Sequence, residues 1–292
     1  MRAGVAVWPA HEGGADPFRD PWWDESAAGR KLRPVADPEA ADAFLALLER
    51  VESGLAGAAE IEGAARRLGV WGPVRRDGRT VPVVADRVPA EHEVVRMGTD
   101  LNPALGNEAP ELVLGPWAAT LDPGAPHHRR ATRMAMAHCT YGALDGAQLS
   151  PFVVWCRRRP PPPLPERLAF RAIAHAPVGL YRLRQVGERY ELHDLLGLGG
   201  SWSGVVMTDP GWVDVPGEVC VARVVRSAAG PVAVMGLLLP KAPPTPLLRT
   251  WLHLDLLRSR VHHRGITLDV VLRKRGHVLV RRVHEWWWHH AH

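Results

Sequence analysis

Hydrophobic positions along this chain follow three different rhythms. From residue 37 onward they recur at helical spacing: Phe44, Leu47, Leu48 and Val51 occupy i, i+3, i+4 and i+7 of one face. Asp37 suits an N-cap, Pro38 the first helical position, Glu39 the positive end of the dipole and Gly54 the stop. A second helical stretch covers 57–68, with Ile61, Ala65 and Leu68 inward, so the pattern predicts a helical hairpin. The runs 80–85 and 91–97 read as strands kept short by Pro82 and Pro89. A helix over 129–144 and a strand over 152–155 complete this part.

After residue 178 the rhythm changes. Runs at 179–186, 189–194, 204–208, 218–226 and 231–238 read as strands. Gly187-Glu188, Asp209-Pro210-Gly211 and Ala228-Ala229-Gly230 lie between them as turns. The run from Val219 to Arg226 is apolar enough for a strand covered on both faces. Five short antiparallel strands in this space predict a small β-barrel of the OB or SH3-like kind.

The last part opens with a helix over 247–262, whose apolar face holds Leu248, Trp251, Leu252, Leu254, Leu257 and Val261. The runs 266–272 and 277–286 then flank Arg273-Lys274-Arg275-Gly276 and read as a β-hairpin with a basic turn. Proline-rich breaks at 157–165 and 240–246 divide the chain into 1–156, 166–240 and 247–292. The expected fold class is therefore α+β. It has an irregular, helix-containing N-terminal part, a small antiparallel barrel, and a C-terminal helix plus β-hairpin.

Composition narrows the class. The chain has 292 residues, 46% hydrophobic and 23% charged, which excludes wholesale disorder and allows a core without disulfides. Three widely spaced cysteines and no CxxC point to a reducing, cytoplasmic setting. The N-terminal apolar stretch is too short for a secretory signal, and the longest apolar run, Val232 to Leu239, is too short for a membrane span. Net charge is +5, and 33 of the 36 basic residues are arginine. Residues 241–292 carry ten basic residues against three acidic ones, together with eight of the 15 histidines. That asymmetry points to an anionic partner such as nucleic acid.

Candidate chemistry follows from these positions. Arg273, Lys274, Arg275, Arg281 and Arg282 are placed to meet phosphates. Trp286, Trp287 and Trp288 alternate on a strand, so at least one lies outside a single core and is available to stack on bases. No catalytic motif is complete. Cys139 is a weak nucleophile candidate with His138, His127 or His128 as base, and as helical neighbours His138 and Cys139 diverge by about 100°. His284, Glu285 and His289 give HExxxH rather than the zinc motif HExxH, so His284, His289 and His290 are weak ligands, and no metal or cofactor is expected. The loop from Gly197 to Gly204 completes neither GxGxxG nor GxSxG and reads as a lip on the barrel.

Three readings result. The first is a non-catalytic accessory or binding protein whose C-terminal basic, aromatic face meets an anionic partner. A second is a structural or protein-interaction subunit, self-associating or not, that uses its twelve tryptophans and the proline-rich arm at 16–23. Third comes an enzyme of unknown reaction, with a cleft between the N-terminal part and the barrel.

Overall fold

The computed structural model describes residues 35, 37–72, 74, 88–99, 126–141, 163–197, 200–208, 218–262 and 264–291. The arm at 16–23 and the strands expected over 80–85 and 152–155 lie outside the described residues.

The helical hairpin is present. It consists of α1 (Pro38–Glu52) and α2 (Ala58–Arg67). Asp37 caps α1 by accepting from the Ala40 amide at 3.1 Å. Phe44, Leu48, Ile61 and Ala65 bury their apolar faces against Leu254, Leu257 and Val261 of α6 (Thr245–His262). At the end of α1, Glu52 accepts from Arg258 Nη2 at 2.9 Å and from Arg282 Nη2 at 2.6 Å. Arg282 and Arg258 also pair with Asp255. Burial alone would raise the Glu52 carboxyl, but the hydrogen bonds and charges of Arg258 and Arg282 outweigh it and hold its pKa below the ordinary value.

Residues 91–97, expected as a strand, form helix α3 (Glu91–Thr99). Glu91 and Glu93 sit at its positive end, and Val94 and Met97 bury one face at i, i+3 spacing. The adjacent valines 94 and 95 suggested a strand, but tertiary packing overrides β-propensity here. Helices α4 (Pro126–Thr140) and α5 (Leu164–His175) follow, the latter beginning at the last residues of the polyproline run.

The barrel comprises β1 (Val178–Val186), β2 (Arg189–Asp194), β3 (Trp202–Met207), β4 (Val219–Ser227) and β5 (Gly230–Leu239). It closes in the order β1-β2-β3-β5-β4. Four pairings are antiparallel, and the β3–β5 pairing, through Val206–Val232 and Met207–Ala233, is parallel. A wholly antiparallel barrel was expected. The connection from β3 through β4 instead returns β5 alongside β3 in the same direction, an arrangement of the OB rather than the SH3 kind. Gly187 adopts φ 63° in the tight β1–β2 turn, where a side chain would be strained.

Inside the barrel lie Tyr181, Leu192, Val205, Cys220, Ala222, Val224, Ala233 and Leu238. The opposite faces of β1, β4 and β5 are also apolar and pack beneath helices. Leu180, Val221, Val234 and Leu237 share one cluster with Ala135 of α4, Ile173 of α5 and residues of the C-terminal helices. All three sequence segments therefore contribute to one core.

The C-terminal helix is present as α6, but the β-hairpin after it is not. Residues 266–286 instead hold α7 (Leu268–Lys274) and most of α8 (Gly276–Ala291). Leu268, Val271 and Leu272 bury one face of α7, and Val280, Val283 and Trp287 bury one face of α8. Both sets have helical spacing, which outweighs the β-branched content that read as strand. Arg273-Lys274-Arg275 is the end of α7, where cations complement the helix dipole. Among the described residues, no helix is long and apolar enough to cross a membrane.

Candidate functional site

Which sheet faces are covered decides what the barrel can present. Helices mask the outer faces of β4, β5 and the first half of β1, as the apolar outward residues there require. Beyond Tyr181 the outward positions of β1 turn polar, and Arg182, Arg184 and Val186 are exposed. Cross-strand pairing places them opposite His193, Glu191 and Arg189 of β2. Of these, His193 and Arg189 are exposed and Glu191 is half-buried. Arg226, near the end of β4, follows the inward alternation of Ala222 and Val224 and is exposed where the strand leaves the barrel, whereas Ser203 of β3 is exposed beside the outward residues of β1 and β2. This is a polar sheet face built by period-two alternation, with the inward partners Leu183, Tyr190 and Leu192 lining the interior.

Its cations are unequal. Arg184 is held by Glu191, donating from Nε at 2.9 Å and from Nη2 at 2.5 Å. Arg189 crosses β3 and donates from Nη1 to the Gly204 carbonyl at 3.0 Å. At the end of the barrel, beside this face, Arg226 lies over the Trp202 indole, its Cζ 5.4 Å from the ring centre, and Trp202 packs on the interior cluster. Arg182, Arg189 and Arg226 pair with no carboxylate among the described residues. His193 Nδ1 lies 2.9 Å from Ser201 Oγ, which ties the β2–β3 loop to the same face. The β1–β2 and β4–β5 turns are two residues each, Gly187-Glu188 and Ala228-Ala229, so neither overhangs the sheet.

The residues singled out from the sequence sit elsewhere. Arg273 is 7% exposed. It donates from Nε to the Asp269 carbonyl at 3.2 Å, and its Nη1 lies 3.2 Å from His175 Nδ1. Burial and the charges of Arg273 and Arg171 lower the His175 pKa to about 3, so that ring is neutral and accepts. Lys274, Arg275 and Arg281 are half-buried on α7 and α8. Arg282 is committed to Glu52 and Asp255. Trp287 is buried, Trp288 packs edge-on against His128 with centroids 4.4 Å apart, and Trp286 stacks on His290 at 4.8 Å. Helical geometry therefore sends the three indoles to three different surroundings.

The imidazoles do not gather either. His284 is buried against His128 of α4, with ring centroids 5.1 Å apart, whereas His289 and His290 are exposed. Burial and the nearby His128 and His127 lower the His284 pKa to about 3. No group of three or more metal-ligating side chains occurs among the described residues.

His138 and Cys139 are both fully buried. Arg223 Nε donates to His138 Nδ1 at 3.3 Å, so that nitrogen carries no proton. The proton then sits on Nε2, which donates to the Met235 carbonyl at 2.9 Å. Burial, reinforced by the Arg223 charge, holds the His138 pKa well below its ordinary value despite the Met235 bond. Met235 has φ 56°, rare for a non-glycine residue, and its carbonyl is fixed by this bond. With its one basic nitrogen taken by Arg223, His138 has no lone pair to offer Cys139.

Comparison with protein-family models, with curated proteins and with solved structures finds no match. Among the described residues, the site must be judged on its geometry. The sequence reading passed over Arg182, Arg184, Arg189, His193, Trp202 and Arg226. One local signal was available: Arg182 and Arg184 are two apart in a strand, which marks one polar face.

Proposed function

We propose that this chain is a non-catalytic binding protein that presents the open face of its barrel to an anionic polymer. The observation that carries the reading is the pair of guanidiniums Arg182 and Arg189 exposed on one sheet face, with Arg226 exposed at the end of the barrel beside Gly230, all three without carboxylate partners among the described residues. Cations arranged this way attract phosphate or sulfate groups and release counterions on binding. The outer face of a closed barrel is convex, and convexity favours an extended ligand over a small one, which needs concavity. In barrels of this topology the second and third strands commonly hold such ligands, an analogy of architecture that adds weight only beside the charge pattern. The basic excess of residues 241–292 supports the helical layer instead, with Arg282 in an ion-pair network and Arg273 buried beside His175. A cytoplasmic setting goes with this reading, since Cys139 and Cys220 are buried thiols.

The test is a fluorescence titration of the full chain with labelled single-stranded oligonucleotide and labelled heparin at two salt concentrations. Binding to at least one probe should weaken with salt, and R182A/R189A/R226A should reduce affinity by about tenfold or more and flatten the salt slope. Arg282→Ala should leave affinity unchanged. Equal binding by wild type and the triple variant, or no binding at all, overturns the proposal.

A further inference from the structure

We infer that the polymer on this face is single-stranded nucleic acid, with Arg226 on Trp202 as the platform for an unpaired base and Arg182 and Arg189 as phosphate contacts. The inference rests on the reading above and adds the ligand's class. Its basis is that the face and the barrel end beside it offer two kinds of recognition next to each other, since Arg189 reaches both Gly204 and the vicinity of Gly230. Sulfated or phosphate-only polymers use charge alone, and any arrangement of cations serves them. Arg226 is not merely a cation here. The indole beneath it, 5.4 Å from Cζ to the ring centre, holds it as a planar group. Arg226 itself is exposed, which leaves it accessible to a second flat partner. A guanidinium braced on an aromatic ring stacks on a base, and base stacking tolerates any sequence because every base has a π-face.

The neighbours extend that platform. Arg189 bonds the Gly204 carbonyl, two residues along β3 from Trp202, so a second guanidinium is pinned close to the first. The Cβ position of Gly230 lies 3.7 Å from Arg189 Nη1, which brings the β4–β5 turn to the same spot; Arg226 leads into that turn. Arg182 stands two strands away, beside His193 and its partner Ser201. Phosphate contacts position a strand, and the stacked base then separates nucleic acid from other anions. Duplex DNA hides its bases, and its major groove is read by an inserted helix or β-ribbon. Among the described residues, this face is made of barrel strands, two-residue turns and the end of the β2–β3 loop.

The decisive variant is Arg226→Lys, which keeps the positive charge and removes the plane. Thermal unfolding of the variant serves as the control for folding. Oligo-dT, a duplex of equal length and heparin are titrated against wild type and R226K. The expected result is preference for oligo-dT over duplex. In R226K, affinity for oligo-dT should fall about fivefold or more, with heparin affinity within about twofold of wild type. Equal losses for oligo-dT and heparin, no loss for either, or tighter binding of duplex overturns the nucleic-acid assignment while leaving the cationic face in place. Loss of the face itself is read separately, from R182A/R189A/R226A.

Discussion

Arg223 Nη2 donates to the Arg273 carbonyl at 2.7 Å, so the middle of a barrel strand caps the end of a C-terminal helix. The same guanidinium, 0% exposed, reaches the Ala176 carbonyl at 2.6 Å, the Ile173 carbonyl at 3.5 Å, the His138 carbonyl at 3.3 Å and His138 Nδ1 at 3.3 Å. All five donors of the group are thereby engaged. Its carbonyl partners lie at the C-terminal ends of α4, α5 and α7, where intrahelical donors run out and the helix dipoles are negative. Three converging helix ends thus stand in for a carboxylate. Burial lowers the Arg223 pKa to about 9, Tyr141 and Cys139 acting against that fall and Arg273 with it; the group stays charged at neutral pH.

Replacing Arg223 by methionine keeps much of the volume and removes every donor. Four buried carbonyls then lose a partner, and the loss should be about 3–5 kcal/mol, a large part of a normal domain's stability. Arg223→Lys restores the charge with three donors and a single nitrogen, so it should recover only part of that. Urea denaturation of the three proteins measures both effects. A methionine variant within about 1 kcal/mol of wild type would mean that the helix ends find other partners.

Acid should unfold this protein earlier than its carboxylates alone require. His175 and His284 have pKa values lowered to about 3, each chiefly by burial, and His138 is also held well below the ordinary value. Each is neutral when folded and takes a proton near pH 6.5 when unfolded. The unfolded chain therefore binds more protons between those limits. The stability these rings give is complete above about pH 6.5 and declines as pH falls toward 3, by about 1.4 kcal/mol per pH unit for each ring. Denaturation midpoints between pH 7 and pH 4 should fall with that slope. His284→Leu should make the fall shallower by one ring's share, and an unaltered slope in that variant would show that His284 is solvated.

Much of the fold was legible because strand alternation and turn residues agree over 178–239. Gly187-Glu188 and Ala228-Ala229 stand where the structure turns. The same local rules misled at the C-terminus. Val278, Val280 and Val283 and the indoles are good strand formers, yet Val280, Val283 and Trp287 also lie on one helical face. Only packing against α4 and the barrel decides between the two. The candidate site was hidden for a related reason. Nothing near Arg182 or Arg226 says which barrel strands the helices will cover, because Ile173 and Val280, which cover them, are supplied by distant parts of the chain. Conversely, the basic run 273–275 looked exposed because its partners, His175 and Arg223, are far away in sequence.

Gly276 offers a direct check on the helical reading of this region. It is the first residue of α8, just after the end of α7, and is packed against β1: a Cβ added there would run into the Val178 Cγ2 methyl and lie 3.0 Å from Val178 Cβ. Val178 is itself fully buried, at the start of a strand that cannot retreat without opening the barrel. In a solvated hairpin turn, Gly276→Ala would cost little. Here it forces overpacking and should destabilise the protein by about 1–3 kcal/mol. Trimming the opposing side chain returns the space, so Val178→Ala combined with Gly276→Ala should be less damaging than the two single effects added together, by about 1 kcal/mol. A double-mutant cycle by chemical denaturation gives that coupling, and strict additivity would separate the glycine from Val178.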